Sequence, residues 1–260
     1  MERRTFVQAS LAGACAAVSG EALAVDGKPK GCDFFELRTY QIKAAKEAAL
    51  DRYLQKAFIP AVKRLGSGPV GVFVEKGTDD GLKVYVIIVH PTGEAAATLA
   101  SRLAADDEYQ KAAKDFLAAR ADDPIYTRIE SSLLAGIEGL PKLEKTDSSR
   151  PRLFNLRIYE SHNERANLKK IEMFNKGELA IFKRVGLTPV LFGQALIGSA
   201  MPNLTYLLVF PDEAGRKASW DKFRVDADWL KIKAIPEYAD KEIVSKITNI
   251  IMTPASYSEI

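Results

Sequence analysis

The two histidines are the first residues to consider for acid–base chemistry. His162 lies between two glutamates, Glu160 and Glu164, where a short apolar segment gives way to a helical pattern. Carboxylates beside an imidazole can set its tautomer and raise its basicity. The simpler interpretation is that Asn163 caps the following helix while His162 is merely exposed. The second histidine, His90, ends an apolar segment and is expected to be a hydrogen-bonded side chain at the end of a strand.

Other catalytic or metal-binding patterns are missing from the sequence. A zinc site needs three or four close ligands of histidine, cysteine or carboxylate type, and one histidine with scattered glutamates gives no basis for one, so no metal is expected. There is no Gly-x-Ser-x-Gly motif of a serine hydrolase. Cys32 is the one cysteine beyond the N-terminal segment, which excludes an internal disulfide there. Catalytic residues and cofactor remain unknown from the sequence.

An internal repeat organises the chain. The segment Phe-Glu-Leu-Arg-Thr-Tyr at 35–40 corresponds to Phe-Asn-Leu-Arg-Ile-Tyr at 154–159, an offset of 119 residues. Lys-Arg-Leu-Gly at 63–66 corresponds to Lys-Arg-Val-Gly at 183–186, an offset of 120 residues. Further blocks follow in the same order. We therefore predict two related domains at 33–139 and 153–254, joined by a polar linker at 140–152.

Each copy has the pattern strand, helix, strand, strand, helix, strand. Residues 35–40 form a short β-prone segment, and residues 44–65 carry apolar side chains at helical spacing. The pattern is that of a ferredoxin-like βαββαβ unit. Its sheet has helices on one face only, so the other face needs a partner. The predicted fold class is α+β, with tandem ferredoxin-like repeats forming a pseudo-dimeric α/β barrel.

The second copy departs from the first in its first helix. Gly177 stands in the middle of that helix, where the first copy has Ala57. A glycine within a helix is less favourable than alanine by about 1 kcal/mol. Solvent exposure explains the neighbouring polar residues Glu172 and Asn175, whereas Gly177 indicates either close packing or the approach of a ligand.

Alternation along the first strand of each copy separates an apolar and a polar face. The apolar sets are expected to meet the helices: Phe35, Leu37, Thr39 and Phe154, Leu156, Ile158. The polar sets are expected to point between the two sheets: Glu36, Arg38, Tyr40 and Asn155, Arg157, Tyr159.

Two interpretations of the polar face remain open. The arginines can be structural, with Arg38 paired to Glu130 and Arg157 bonded near Thr248 and Asn249. Alternatively they hold an anionic or polar ligand between the sheets. The ligand-binding candidates are Arg157, Tyr159, Glu160, His162, Arg38 and Tyr40.

The first 24 residues have the features of an export signal. Arg3 and Arg4 precede an apolar stretch, and an Ala-Leu-Ala at 22–24 offers a small-x-small cleavage site. The paired arginines favour the twin-arginine route, with an ordinary secretory signal and a lipoprotein signal at Cys15 as alternatives. The expected location is periplasmic or secreted.

Composition excludes two classes of partner. The net charge is only +3, and the basic residues are interspersed with acidic ones. No basic stripe with interleaved aromatic residues predicts nucleic-acid binding. Beyond the N-terminal segment no apolar run of membrane-spanning length occurs. A small-molecule ligand, a second copy of the chain or another protein are the partners left open.

The paired strand motifs resemble those of NIPSNAP-domain proteins. So do these segments of the second copy: Lys-Ile-Glu-Met-Phe-Asn at 170–175, Gly-Glu at 177–178, Met-Pro-Asn-Leu-Thr-Tyr at 201–206, Trp220, and Asp-Trp at 228–229. The resemblance covers essentially the whole chain after the predicted signal peptide and is closest to an exported bacterial branch. It implies a dimeric α/β-barrel fold and little about chemistry.

Three functional hypotheses follow from the resemblance and the residues together. The first is an exported protein that binds a small ligand between its sheets, with or without turnover. The second is a protein-interaction scaffold without catalysis, since mitochondrial relatives are associated with protein–protein interaction. The third is a haem- or oxygen-using enzyme, by analogy with the wider barrel superfamily. A haem would need His162 or His90 as its axial ligand.

Overall fold

Eight strands form the framework of the protein. A computed structural model describes residues 31–75 and 81–260, so the predicted export signal lies outside the described residues. The strands are β1 Phe34–Ile42, β2 Val70–Glu75, β3 Leu82–His90, β4 Arg128–Gly136, β5 Leu153–Glu160, β6 Thr188–Ile197, β7 Asn203–Phe210 and β8 Lys246–Pro254.

The strands close into one antiparallel barrel. Their order around it is β1-β3-β2-β8-β5-β7-β6-β4, so each half of the chain contributes four adjacent strands. Two junctions join the halves: β2 pairs with β8, and β4 pairs with β6. Closure removes the exposed sheet edges that two separate sheets would have. This confirms the predicted mixed α+β fold with a barrel of strands.

Helices cover the outside of the barrel. Those of the first half are α1 Glu47–Tyr53, α2 Ile59–Arg64, α3 Gly93–Ala104, α4 Asp107–Ala112 and α5 Lys114–Leu117. Those of the second half are α6 Glu164–Met173, α7 Leu179–Val185, α8 Glu213–Arg224, α9 Ala227–Lys233 and α10 Asp240–Ile243. One π-helical turn joins α1 to α2, at Leu54–Phe58, and another joins α6 to α7, at Phe174–Glu178.

The barrel interior is apolar, and this contradicts the predicted orientation of the strands. Phe35 and Leu37 of β1 pack there with Phe154 and Leu156 of β5, in one cluster drawn from both halves. The polar sets on β1 and β5 point outward, toward the helices. A narrow closed barrel is filled by side chains, so it buries the more apolar face of each strand. The polar face is then left for the helix–sheet layer.

Gly177 illustrates close packing between helices. A Cβ atom on Gly177 would lie 2.7 Å from Cδ1 of Ile232, which belongs to α9. Gly177 therefore permits α9 to approach the π-helical turn, and of the two interpretations the structure supports packing. The matching residue Ala57 is buried within the first half.

No helix in the described part of the chain is long and apolar enough to span a lipid bilayer.

Candidate functional site

In the first half, Arg38 has a carboxylate partner on its own strand. Its Nε donates to Glu36 Oε1 at 2.5 Å, and its Nη2 donates to Glu36 Oε2 at 3.2 Å. Ser131 Oγ also donates to Glu36, at 2.8 Å. The predicted pair with Glu130 is wrong, because Glu130 instead accepts from Arg128 at 2.7 Å.

His90 completes this first-half network. Its side chain is fully buried, with Nε2 3.3 Å from Glu36 Oε2 and Nδ1 2.9 Å from Ser67 Oγ. Both ring nitrogens therefore have partners. This confirms His90 as a satisfied strand-end residue and leaves no free nitrogen for an axial haem bond.

The Glu36 network predicts a specific acid sensitivity. Burial raises the pKa of Glu36, but the hydrogen bonds from His90, Arg38 and Ser131 outweigh it and lower the pKa from 4.5 to about 2. A carboxyl whose pKa is lower in the folded state stabilises the protein at pH values above the pKa of the unfolded state. This stabilisation is lost as the pH falls toward 2. The shift corresponds to about 3 kcal/mol.

We expect the free energy of unfolding to fall more steeply between pH 4.5 and 2 in the native protein than in the Glu36→Gln variant. Chemical denaturation at a series of pH values measures both slopes, and the difference isolates Glu36 from the other acids. Parallel slopes would contradict the assignment.

The second half keeps the arginine and lacks its carboxylate. Asn155 stands where the first half has Glu36, and it is fully buried. Arg157, the counterpart of Arg38, donates from Nη1 to Asn249 Oδ1 at 3.0 Å and from Nη2 to the Tyr159 hydroxyl at 3.2 Å. The bond to Asn249 confirms one predicted structural contact. Within residues 31–75 and 81–260, Arg157 forms no ion pair with a carboxylate.

Three hydrogen-bond donors around Arg157 lack an acceptor in the described part of the chain. Arg157 Nε and Trp220 Nε1 are both buried and unpartnered, and the guanidinium lies 4.6 Å from the Trp220 ring. The Tyr159 hydroxyl accepts from Arg157 and, at 2.8 Å, from Tyr206, so its own proton is also free. Buried donors are usually hydrogen-bonded to protein, water or ligand acceptors, so these three donors are positioned to bind an acceptor from outside the chain.

A buried ion pair lies close to this cluster. Lys170 Nζ donates to Glu178 Oε2 at 2.9 Å, and both side chains are almost completely buried. Lys170 also lies 5.4 Å from the Tyr159 ring. Burial raises the pKa of Glu178, and the Lys170 charge opposes that rise. Glu178 is thus paired with Lys170 and makes no direct ion pair with Arg157.

The predicted candidates do not form one site. Arg157 and Tyr159 lie together in the second half, whereas Arg38 and Tyr40 belong to the separate first-half layer. Glu160 pairs with Lys246 at 3.1 Å.

His162 is exposed and lines a different surface cleft beside Lys169 and Glu237. Asn163 caps α6 by accepting from Ala166 N at 2.9 Å. That hydrogen bond confirms the simpler interpretation of the segment.

The four strand-face candidates, Arg38, Tyr40, Arg157 and Tyr159, do not point between the two sheets as predicted but lie in the helix–sheet layers. The described barrel has a pocket of about 180 Å³ at one end, lined by Thr39, Gln41, Lys83 and Glu130 among others. The six candidates are absent from its lining.

Lys170, Glu178, Tyr206 and Trp220 were not singled out for chemistry from the sequence. A signal for two of them was available in the repeat. At an offset of 120 residues, Lys170 corresponds to Leu50 and Glu178 to Phe58, so a buried ion pair replaces two apolar residues of the first-half core. Substitutions of this kind mark the specialised copy.

No cluster of three potential metal ligands occurs among residues 31–75 and 81–260. No cofactor is assigned to the site.

Comparison with known families places this site in a recognised domain. Residues 154–259 match the NIPSNAP family model. The second half of this chain is a NIPSNAP domain. Arg157, Tyr159, Lys170, Glu178 and Tyr206 all lie within it. A search of the curated proteins found no match.

Solved structures share the barrel fold of the chain that carries this NIPSNAP domain. A candidate monooxygenase from Fusobacterium nucleatum superposes with a TM-score of 0.56 at 8% identity, over 87% of this chain and 94% of that one. A second, from Lactobacillus acidophilus, has a TM-score of 0.54 at 12% identity, over 88% and 98% of the two chains. A NIPSNAP-like domain protein from Burkholderia xenovorans covers 42% of this chain and 90% of its own, with a TM-score of 0.38 at 17% identity. At these identities the first two likenesses show the fold alone.

Proposed function

We propose that the NIPSNAP domain binds a small organic anion at Arg157, in the layer between sheet and helices. The observation that carries the proposal is the contrast between the two halves. Arg38 is neutralised by Glu36, whereas Arg157 faces Asn155 and has an unpartnered Nε. A partly buried guanidinium without a counterion is unfavourable, and a bound anion would balance its charge. The planar guanidinium also matches the geometry of a carboxylate.

Access to the site is from the side of β8. Asn249 is exposed beside Arg157, and the neighbouring Ile247 on the same outer face is 46% exposed. Ile247 and the Trp220 ring provide apolar surface near the guanidinium. A carboxylate attached to an aromatic or apolar body fits this combination of charge and surface.

Isothermal titration calorimetry with benzoate as the probe tests the proposal. Arg157→Ala should weaken benzoate binding by about 10- to 100-fold, the value of one or two charge-assisted hydrogen bonds. His162→Ala should bind like the native protein, because His162 lies in another cleft. Arg38→Ala is the matched control. It leaves Glu36 without its ion-pair partner, so it should lower the melting temperature, but it should not change the affinity for benzoate. Equal weakening in both arginine variants, or no benzoate binding to the native protein, would contradict the proposal.

We further propose that the two halves are tandem ferredoxin-like units, at 33–139 and 153–254, forming a pseudo-dimeric barrel. The sequence offset of about 120 residues and the equivalent strand order within each half support this duplication.

We also propose export by the twin-arginine route, supported by Arg3 and Arg4. Cell fractionation of the Arg3→Lys, Arg4→Lys double variant tests export: the protein should be retained in the cytoplasm.

A further inference from the structure

A second cleft lies on the outside of the barrel at the β4–β6 junction, away from Arg157. Its volume is about 720 Å³, within the range of small-molecule sites. Both halves of the chain form it. Cys32 and Phe34 lie on the first-half side, and Ile171 and Leu196 on the second-half side.

The charge of this cleft is opposite to that of the Arg157 site. Its charged lining residues are two carboxylates, Glu94 and Glu138, and among the residues described no lysine or arginine lines it. Glu94 lies in the first turn of α3, where the helix dipole favours a negative charge. Glu138 follows β4, outside any helix, and makes no ion pair in the described part of the chain. An otherwise slightly basic protein therefore presents a cleft that favours a cation.

The other junction between the halves shows what such a cleft accommodates. At β2–β8 the segment after β8 continues beside β2: Ala255 N donates to Val72 O at 2.9 Å, and the Tyr257 hydroxyl donates to Asp51. Asp51 corresponds to Ile171 at the 120-residue offset. An aromatic side chain of the protein itself thus packs at the β2–β8 seam, with its ring against the first-half core.

The segment after β4 follows the same course without an aromatic residue. Ile137 N donates to Phe192 O at 3.2 Å, and Phe192 corresponds to Val72 at the offset of 120. The next residues are Glu138 and Gly139. No aromatic side chain follows at the β4–β6 junction, and the cleft remains beside it.

We propose that the β4–β6 cleft binds an organic amine with an aromatic or similarly apolar body. The apolar body occupies the place that Tyr257 takes at the other junction, against Phe34, Ile171 and Leu196. The ammonium group lies toward Glu138, with Glu94 adding to the negative potential. This site is separate from the proposed anion site and does not depend on it.

Three probes of equal length and different charge test the proposal: 4-phenylbutylamine, 4-phenylbutanol and 4-phenylbutyrate. Calorimetry on the full chain should show the amine binding about 10-fold more tightly than the alcohol, and the butyrate more weakly than either in an Arg157→Ala background.

Two matched variants locate the charge that matters. Glu138→Gln should weaken amine binding about 5- to 10-fold and leave binding of the alcohol unchanged. Glu144→Gln removes the same charge from the same segment, but Glu144 does not line the cleft, so it should bind like the native protein. Equal affinity for amine and alcohol, or equal effects of the two variants, would overturn the proposal.

Discussion

Replacing Asn155 with glutamate should abolish anion binding in the NIPSNAP domain. The new carboxylate would take the place that Glu36 has beside Arg38, and it would neutralise Arg157 from within the chain. Because an internal carboxylate competes at high effective concentration, we expect benzoate affinity to fall by about 100-fold or more. Calorimetric titration of the native and Asn155→Glu proteins measures this loss.

The reciprocal change provides a control in the other half. Glu36→Asn removes the counterion of Arg38 and should create a second, weaker benzoate site, although it also removes the partner of His90. The two substitutions lie in different helix–sheet layers, and each layer has its own core. If Asn155→Glu folds and still binds benzoate like the native protein, Arg157 is not the anion site.

The buried pair Lys170–Glu178 should dominate the effect of single substitutions on stability. Lys170→Met leaves Glu178 buried without a partner, and removal of one member of a buried pair destabilises by about 3–5 kcal/mol. Since burial raises the pKa of Glu178, this variant should recover stability as the pH falls and the carboxyl is protonated. Chemical denaturation at pH 5 and pH 8 measures both effects.

The double variant Lys170→Met, Glu178→Leu separates stability from function. It copies the apolar character of Leu50 and Phe58 in the first half, so its stability should return to within about 1 kcal/mol of native. Benzoate affinity should change less than about 3-fold, because Lys170 and Glu178 pair with each other rather than with Arg157. A stable double variant that no longer binds benzoate would show that the pair belongs to the binding site.

The elements of the fold were predictable because the repeat fixed them twice. Every strand and helix predicted in one copy had a counterpart about 120 residues away, and the turn-forming segments between them agreed. The direction of the side chains was not predictable in the same way. In β1 and β5 both faces are buried, one in the barrel and one under helices, so alternation identified two sets without saying which set lay inside.

The site was only partly predictable for a related reason. Arg157 and Tyr159 were found because strand alternation puts them on one face. Lys170 and Glu178 lie in the helical layer, on α6 and in the π-helical turn, where strand alternation gives no information. His162 attracted attention by its residue type, but its backbone position in the turn before α6 makes it an exposed neighbour of a cap. Comparing buried positions between the two copies is the more informative approach.

Anomalous diffraction from crystals soaked in 4-bromobenzoate tests the central claim most directly. The bromine signal should lie on the β8 side of Arg157, near Trp220 and Asn249, with the carboxylate density on the guanidinium. The same soak of Asn155→Glu crystals should show no such peak. A bromine position at Arg38, in the acidic β4–β6 cleft or inside the barrel, with Arg157 unliganded, would contradict the account.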